Sequence, residues 1–324
     1  MIKYVDALKN SEAYKLIKKD IDCGELAHAY MVISPDVEVV AELFSLVACT
    51  VFCENDACLQ CSTCSKILNG NHVDIKYINQ LNENIKVDDV KELIDDTSLL
   101  SYEGKNKLYF IYSADKMNLI AQNKLLKTLE EPPKSVTIFL GVGRESAMLD
   151  TIMSRARKIY LDRFSEDVIY NEIYAETYDE KKARIASVCC DGMLGRASEI
   201  AKSAGYEAVY DETLTVLKQL KKSSDVASVL GLKPSLVDNL PIFLDTLSLL
   251  IRDMLMSKTN LSLVLSKHKA DEIMELSQGY SERALGNILY LINSERKKLE
   301  ANVTKICVLE NLFFGILEVK YKCR

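Results

Sequence analysis

Ten cysteines occur in 324 residues, and four of them, Cys53, Cys58, Cys61 and Cys64, fall within a twelve-residue C-x4-C-x2-C-x2-C pattern. Thiolates two residues apart converge on one ion from a tight turn. Four of them satisfy tetrahedral Zn²⁺ with no position left for water, the arrangement of a structural rather than a catalytic metal. The alternative is a group of inert buried thiols. Against it, Asp56, Gln60, Ser62 and Thr63 lie between the cysteines and read as exposed, where free thiols are open to oxidation. His72 is a weaker candidate ligand, because four sulfurs already complete the shell and a single histidine beside a strand is usually a surface or turn residue. Cys23, Cys49, Cys189, Cys190, Cys307 and Cys323 share no such spacing and read as small buried residues.

A cluster of this kind needs a folded frame, and the chain has the composition for one. It is 48% hydrophobic with only 12 glycines and 5 prolines, enough for two or three domains with cores of their own. No run approaches the roughly eighteen consecutive apolar residues of a membrane span. The start, Met1 to Asp6, lacks the apolar core and cleavage site of a signal peptide, so a cytoplasmic protein with reduced or metal-bound cysteines is expected. A net charge of −6 argues against a protein that binds DNA alone through a broad basic surface.

Between Tyr30 and Leu161 short β-branched and aromatic runs, Ala29–Ile33, Val73–Ile78, Leu108–Tyr112 and Val136–Leu140, alternate with helical patterns over Val37–Phe52, Val87–Leu99 and Met117–Glu130. Such alternation predicts a parallel sheet between layers of helices. The last helix stops at Pro132–Pro133. Beyond Phe164 strand signals fade. Helical pattern then leads to a turn at Gly192–Ala197, and amphipathic segments such as Leu240–Met256 and Leu285–Leu317 follow. The fold class expected is α/β plus all-α, divided at 1–163, 164–206 and 207–324.

The run Ala121-Gln122-Asn123-Lys124-Leu125-Leu126-Lys127-Thr128-Leu129-Glu130-Glu131-Pro132-Pro133 closely resembles the most recognisable segment of bacterial clamp-loader AAA+ subunits. His28-Ala29-Tyr30 resembles the family's approach to its first core strand, and Ile85 to Leu93 the segment before its second helix. The cysteines at 53–64 fall where the family carries its zinc module. Thr151-Ile152-Met153-Ser154-Arg155-Ala156 resembles its Ser-Arg-Cys motif, with Ala156 in place of the cysteine, and Gly192 to Ala197 its turn bearing the lid arginine. The likeness covers about residues 25–200 and returns less specifically over Leu299–Leu317. It implies a RecA-like AAA+ domain with a parallel sheet, a small helical lid and a C-terminal helical collar.

Against that family the ATP site departs in three places. A working P-loop needs glycines to wrap phosphate, a lysine for the terminal phosphates and a hydroxyl for Mg²⁺. The equivalent stretch is Ser34-Pro35-Asp36-Val37-Glu38-Val39-Val40-Ala41, in which Val39, Val40 and Ala41 replace the second glycine, the lysine and the hydroxyl residue. Tyr112 and Ser113 stand where paired acids would hold Mg²⁺. Gly141-Val142-Gly143 offers no polar side chain near the γ-phosphate. No ATP is expected in this site.

Arg155 is retained, and the resemblance implies an arginine finger, positioned by Ser154, for the ATP site of a neighbouring subunit. The bland alternative is a surface arginine beside a solvated strand edge at Arg157. Arg196 matches the lid arginine, with packing or an ion pair expected in the absence of nucleotide. Gln122, Lys124 and Lys127 read as a polar helix face, lining either a subunit interface or a DNA chamber. The implied partners are gamma/tau-type ATPase subunits and a delta-type subunit in a hetero-pentameric ring, with the sliding clamp and primed DNA reached through the complex and no membrane. An ATP-hydrolysing motor subunit and a free-standing zinc-binding adaptor are the competing readings.

Overall fold

The computed structural model describes residues 2–79, 84–102, 106–203, 206–232, 235–266 and 269–323. The chain divides into two compact units, Met1–Val168 with Met193–Gly195, and Ile169–Gly192 with Arg196–Arg324. Among the described residues no helix is long and apolar enough to cross a membrane.

The first unit is built on a parallel sheet of β1 (Ala29–Ile33), β2 (Ile75–Ile78), β3 (Lys107–Ile111), β4 (Val136–Val142) and β5 (Arg157–Tyr160), in the order β2-β3-β4-β1-β5. Its helices are α1 (Val5–Asn10), α2 (Glu12–Cys23), α3 (Val37–Phe52), α4 (Ser62–Leu68), α5 (Val87–Thr97), α6 (Leu119–Glu130) and α7 (Asp150–Met153). Strands β3 and β4 are buried throughout, as parallel strands covered on both faces must be, which is why they read as apolar runs interrupted only by Lys107 and Thr137. Alternate residues serve opposite faces. Tyr30, Phe110 and Phe139 stack with centroids 4.9–5.0 Å apart and meet Phe44 of α3. On the other side Met31, Tyr109, Ile111, Ile138 and Leu140 join Val90 and Leu93 of α5 and Ala121, Leu125 and Leu129 of α6 in one core. The layering is the RecA-like α/β arrangement expected.

Some boundaries differ from expectation. β2 begins at Ile75, because Val73 and Asp74 form a turn in which Val73 is exposed and the buried Asp74 side chain accepts the Tyr102 N–H at 2.6 Å. β5 is an additional edge strand of mostly exposed charged residues, which gave it little apolar signal. Helix α6 starts at Leu119, since Asn118 caps it by accepting the Ala121 N–H at 2.9 Å.

After β5 the chain is helical: α8 (Glu166–Thr177), α9 (Glu180–Cys189), α10 (Leu194–Lys202), α11 (Tyr206–Gln219), α12 (Ser223–Leu232), α13 (Ser235–Asp238), α14 (Leu240–Thr259), α15 (Ala270–Ser277), α16 (Glu282–Glu300) and α17 (Lys305–Lys322). All but the first residues of α8 and α10 lie in the second unit. The segment Leu285–Leu317 is thus two helices. They break at 301–304, where Asn302 takes a positive φ of 62°. Phe243 of α14 meets Phe313 of α17 edge-on at 5.9 Å, and Leu244, Leu247, Ile251, Leu312 and Ile316 are buried around them.

Candidate functional site

Helix α3 carries the two sequence-marked features of the first unit at its opposite ends. Its apolar residues Leu43, Phe44 and Val47 are fully buried, so the helix is pinned to the sheet. Its sixteen residues, about 24 Å, separate Asp36 at the N-cap from Cys53 at the C-cap.

At the C-terminal end the four cysteine sulfurs lie within 4.8 Å of one another. Cys53 Sγ is 3.5 Å from Cys58 Sγ and 3.7 Å from Cys61 Sγ. A tetrahedral shell with metal–sulfur bonds of about 2.3 Å has edges of about 3.8 Å, so this donor set could hold a metal ion. Cys61 is the N-cap of α4 and accepts the Cys64 N–H at 3.4 Å, which places two ligands on one helical turn. The connecting loop holds Asp56, Ala57 and Leu59 at φ of 50°, 53° and 60°. Each such non-glycine residue costs on the order of 1–3 kcal/mol, a cost that bonds to an ion would offset. The Gln60 and Cys61 N–H groups lower the Cys58 thiol to about 6, so it is a thiolate at neutral pH. Burial pushes the Cys64 thiol up.

Cys49, one turn before Cys53, is raised to about 11 by burial and meets Cys64. It therefore adjoins the cluster as a protonated thiol, a proximity that sequence spacing did not reveal. His72 is buried, not a surface residue. Its ring packs on Phe52 at 4.3 Å and its Nδ1 accepts the Asp74 N–H at 3.3 Å. Cys189 and Cys190 are buried as expected, but Cys23 and Cys307 are exposed and Cys323 is half-buried.

At the other end of α3, Asp36 accepts the Val39 N–H at 3.4 Å through Oδ1 and the Gly195 N–H at 2.9 Å through Oδ2. A helix N-terminus is where a phosphate would bind; here the chain's own carboxylate takes the backbone donor. Gly195 is needed for that approach, since a Cβ there would stand 2.5 Å from Asp36 Oδ1. Glu38 pairs with Lys3 at 2.5 Å. Val39 and Val40 are buried, and a Cβ at Gly141 would lie 3.0 Å from Val40 Cγ1, so Val40 fills the space beside β4. Ser34 is buried at the tip of β1, its N–H donating to Val142 O at 3.0 Å. Tyr112 is buried, tilted against Phe44 at 5.6 Å and stacked on Tyr77 at 6.2 Å, and burial keeps its phenol protonated. Ser113 is also buried, while Asp115 accepts the Gly143 N–H at 3.0 Å.

Arg155 lies between α7 and β5. Its Nη2 pairs with Glu130 at the end of α6 at 2.7 Å, and its Nη1 donates to Thr151 O at 2.8 Å and to Ser154 Oγ at 3.4 Å. The side chain remains 34% exposed, held at its base and open at its edge. The neighbouring cations are also paired, Arg157 with Asp20 and Lys158 with Glu145. Arg196 forms an ion pair, donating to both Asp245 oxygens at 2.5 and 2.6 Å.

Gln122 is not part of an exposed face. It is 1% exposed, donates to Met117 O and Ala147 O at 3.1 and 3.0 Å, and accepts the Leu149 N–H at 2.9 Å. It thereby ties α6 to the segment that launches α7 and Arg155. Gln122→Leu leaves those buried groups unpaired and is expected to cost about 2 kcal/mol or more. The measurable result is a drop of roughly 5 °C in thermal unfolding midpoint; an unchanged midpoint would show the clamp to be dispensable. Lys124 and Lys127 are exposed on α6 as expected, and so are Leu119 and Ile120.

Comparison with known proteins agrees with this architecture. Residues 9–165 match a family model described as DNA polymerase III, delta subunit. The chain is 28% identical over 197 residues to the DNA polymerase III subunit delta' of Bacillus subtilis, covering 58% of this chain and 60% of that one. It is 25% identical over 187 residues to the delta' subunit of Haemophilus influenzae, covering 56% and 57%. The Bacillus subtilis tau subunit aligns at 24% identity over 351 residues, covering 94% of this chain and 61% of tau. The chain thus spans about six tenths of the length of these relatives. By these matches the chain is similar to clamp-loader subunits of DNA polymerase III. Within that type it is delta-prime-like.

Proposed function

We propose that this chain is the non-hydrolysing, delta-prime-type subunit of a bacterial DNA polymerase III clamp loader. The observation that carries the reading is the phosphate seat at the start of α3, where Asp36 takes the Val39 and Gly195 N–H groups, with Val40 buried behind it. A buried phenol, Tyr112, stands where Mg²⁺ would need carboxylates. The chain's work in this reading is in trans. Arg155, with Ser154 and Glu130 fixing its base, reaches the ATP site of an adjacent gamma/tau-type subunit as an arginine finger. A delta-type subunit completes a five-membered cytoplasmic ring that opens the sliding clamp onto primed DNA. Residues 1–163, 164–206 and 207–324 serve in it as AAA+ domain, lid and oligomerising collar, and Cys53, Cys58, Cys61 and Cys64 hold a structural zinc.

An ATP-hydrolysing motor subunit is the second reading, favoured by the alignment with tau across 94% of the chain. Equilibrium binding of Mg-ATP to the isolated chain separates the two. The non-hydrolysing reading expects no saturable binding up to about 1 mM, together with co-elution of the chain with gamma/tau-type subunits. Binding in the micromolar range would overturn it and restore the motor.

A further inference from the structure

A cavity of about 410 Å³ lies within the second unit, among α9, α10, α14 and α16. Three arginines from three different helices line it: Arg196 of α10, Arg252 of α14 and Arg296 of α16. Facing them is Asp245, whose side chain is only 5% exposed. That one carboxylate takes both Arg196, at 2.5 and 2.6 Å, and Arg296, at 2.5 Å, so the trio keeps a surplus positive charge. Asp245 and Arg252 are seven residues apart on α14, two helical turns, and so share its face toward the cavity.

Arg252 is held only at long range. Its Nη1 is 3.5 Å from Asp253 Oδ1, the limit of a hydrogen bond. Asp253 is fully buried and also accepts the Leu265 and Ser266 N–H groups at 3.1 and 2.8 Å, so Arg252 shares Oδ1 with a backbone donor. Asp191 is the second carboxylate on the wall, so the residues lining the cavity include three guanidiniums and two acids, with Asp253 behind Arg252. Each guanidinium has five donors in a planar fork, so each can serve a carboxylate and a ligand at once. Ser248 and Asn293 add polar groups to the same wall.

We propose that this cavity is an oxyanion site for a small phosphate-bearing ligand of about nucleotide size. Forked guanidiniums match phosphate oxygens bidentately, and the volume falls in the range of small-ligand sites, about 300–1,000 Å³. The site is formed by helices of the second unit and owes nothing to the stretch at Ser34–Ala41.

The test is calorimetric titration of the full zinc-loaded chain with inorganic pyrophosphate in low salt, with ADP, orthophosphate and a short single-stranded oligonucleotide as parallel arms. Saturable 1:1 binding of pyrophosphate or ADP is expected, weakened about tenfold or more in Arg252→Gln. That variant leaves the Arg196–Asp245–Arg296 group intact and Asp253 with its two backbone donors, Leu265 and Ser266, and is expected to fold. Arg296→Gln should weaken binding as well, and Arg252→Lys, keeping charge without the fork, should fall between. ADP tighter than pyrophosphate would assign a nucleotide, and the reverse a free phosphate. Three outcomes would overturn the proposal: no saturable binding in any arm, binding unchanged in folded Arg252→Gln, or binding of the oligonucleotide alone. Should Arg252→Gln fail to fold, the intact chain decides: pyrophosphate either raises its unfolding midpoint in a saturable way or the site is absent.

Discussion

Replacing Arg155 by alanine is expected to lower the steady-state ATPase rate of a loader reconstituted with clamp and primed DNA by an order of magnitude or more. A guanidinium that meets charge developing on a transferring phosphoryl group contributes about 10³ to 10⁵ in rate where it acts fully. A smaller fall is expected when several sites share the turnover and one loses its finger. The geometry makes the variant a clean one. Arg155 is 34% exposed, and its partners, Glu130, Thr151 O and Ser154, lie near the surface, so its removal leaves no buried charge behind. Gel filtration should therefore show an intact assembly. Arg155→Lys should recover little, because an ammonium cannot reproduce the planar fork. An unchanged rate in an assembled Arg155→Ala loader would remove the finger and leave the chain a scaffold.

The same region shows what the sequence could and could not convey. Helix α6 was legible from its apolar spacing, and Leu125 and Leu129 are in the core. Gln122 was not, because a glutamine on a helix reads as solvent-facing until its three buried partners, more than twenty residues away in two cases, are known. Arg155 was legible through its motif, but its anchor Glu130 lies 25 residues earlier and carried no local signal. Asp36 carried no sign of its bond to Gly195, which depends on a turn 159 residues away. β1, β3 and β4 were evident because both their faces are buried, whereas β5 exposes Arg157, Lys158 and Tyr160 and buries only Ile159. In each case the local pattern was readable where burial followed the helical or strand period. It failed where a polar side chain was satisfied by distant chain.

For the cysteine cluster, the full chain purified in zinc-containing reducing buffer is expected to carry about one zinc ion. The ligands should not contribute equally. Cys58 is already a thiolate at neutral pH, with a thiol lowered to about 6 by two backbone N–H groups, whereas burial holds the Cys64 proton in place. Metal therefore has a ready first ligand at Cys58 and must displace a proton at Cys64, so loading releases acid and weakens as pH falls and the thiolates are reprotonated. Cys58 is only half-buried and Cys64 is buried. Water can stand in for the first sulfur more readily than for the second, and Cys64→Ser should lose zinc more completely than Cys58→Ser in elemental analysis. The consequences should be local. Leu43, Phe44 and Val47 bind α3 to the sheet independently of the metal, while the loop with Asp56, Ala57 and Leu59 at positive φ has its strain offset mainly by the cluster. Chelation should thus leave the helical circular dichroism largely intact and open residues 54–68 to limited proteolysis at least tenfold faster, about 1.4 kcal/mol of local stability. A chain that holds no zinc, and whose cleavage in this segment is unaffected by chelator, would return the four cysteines to the reading of inert thiols.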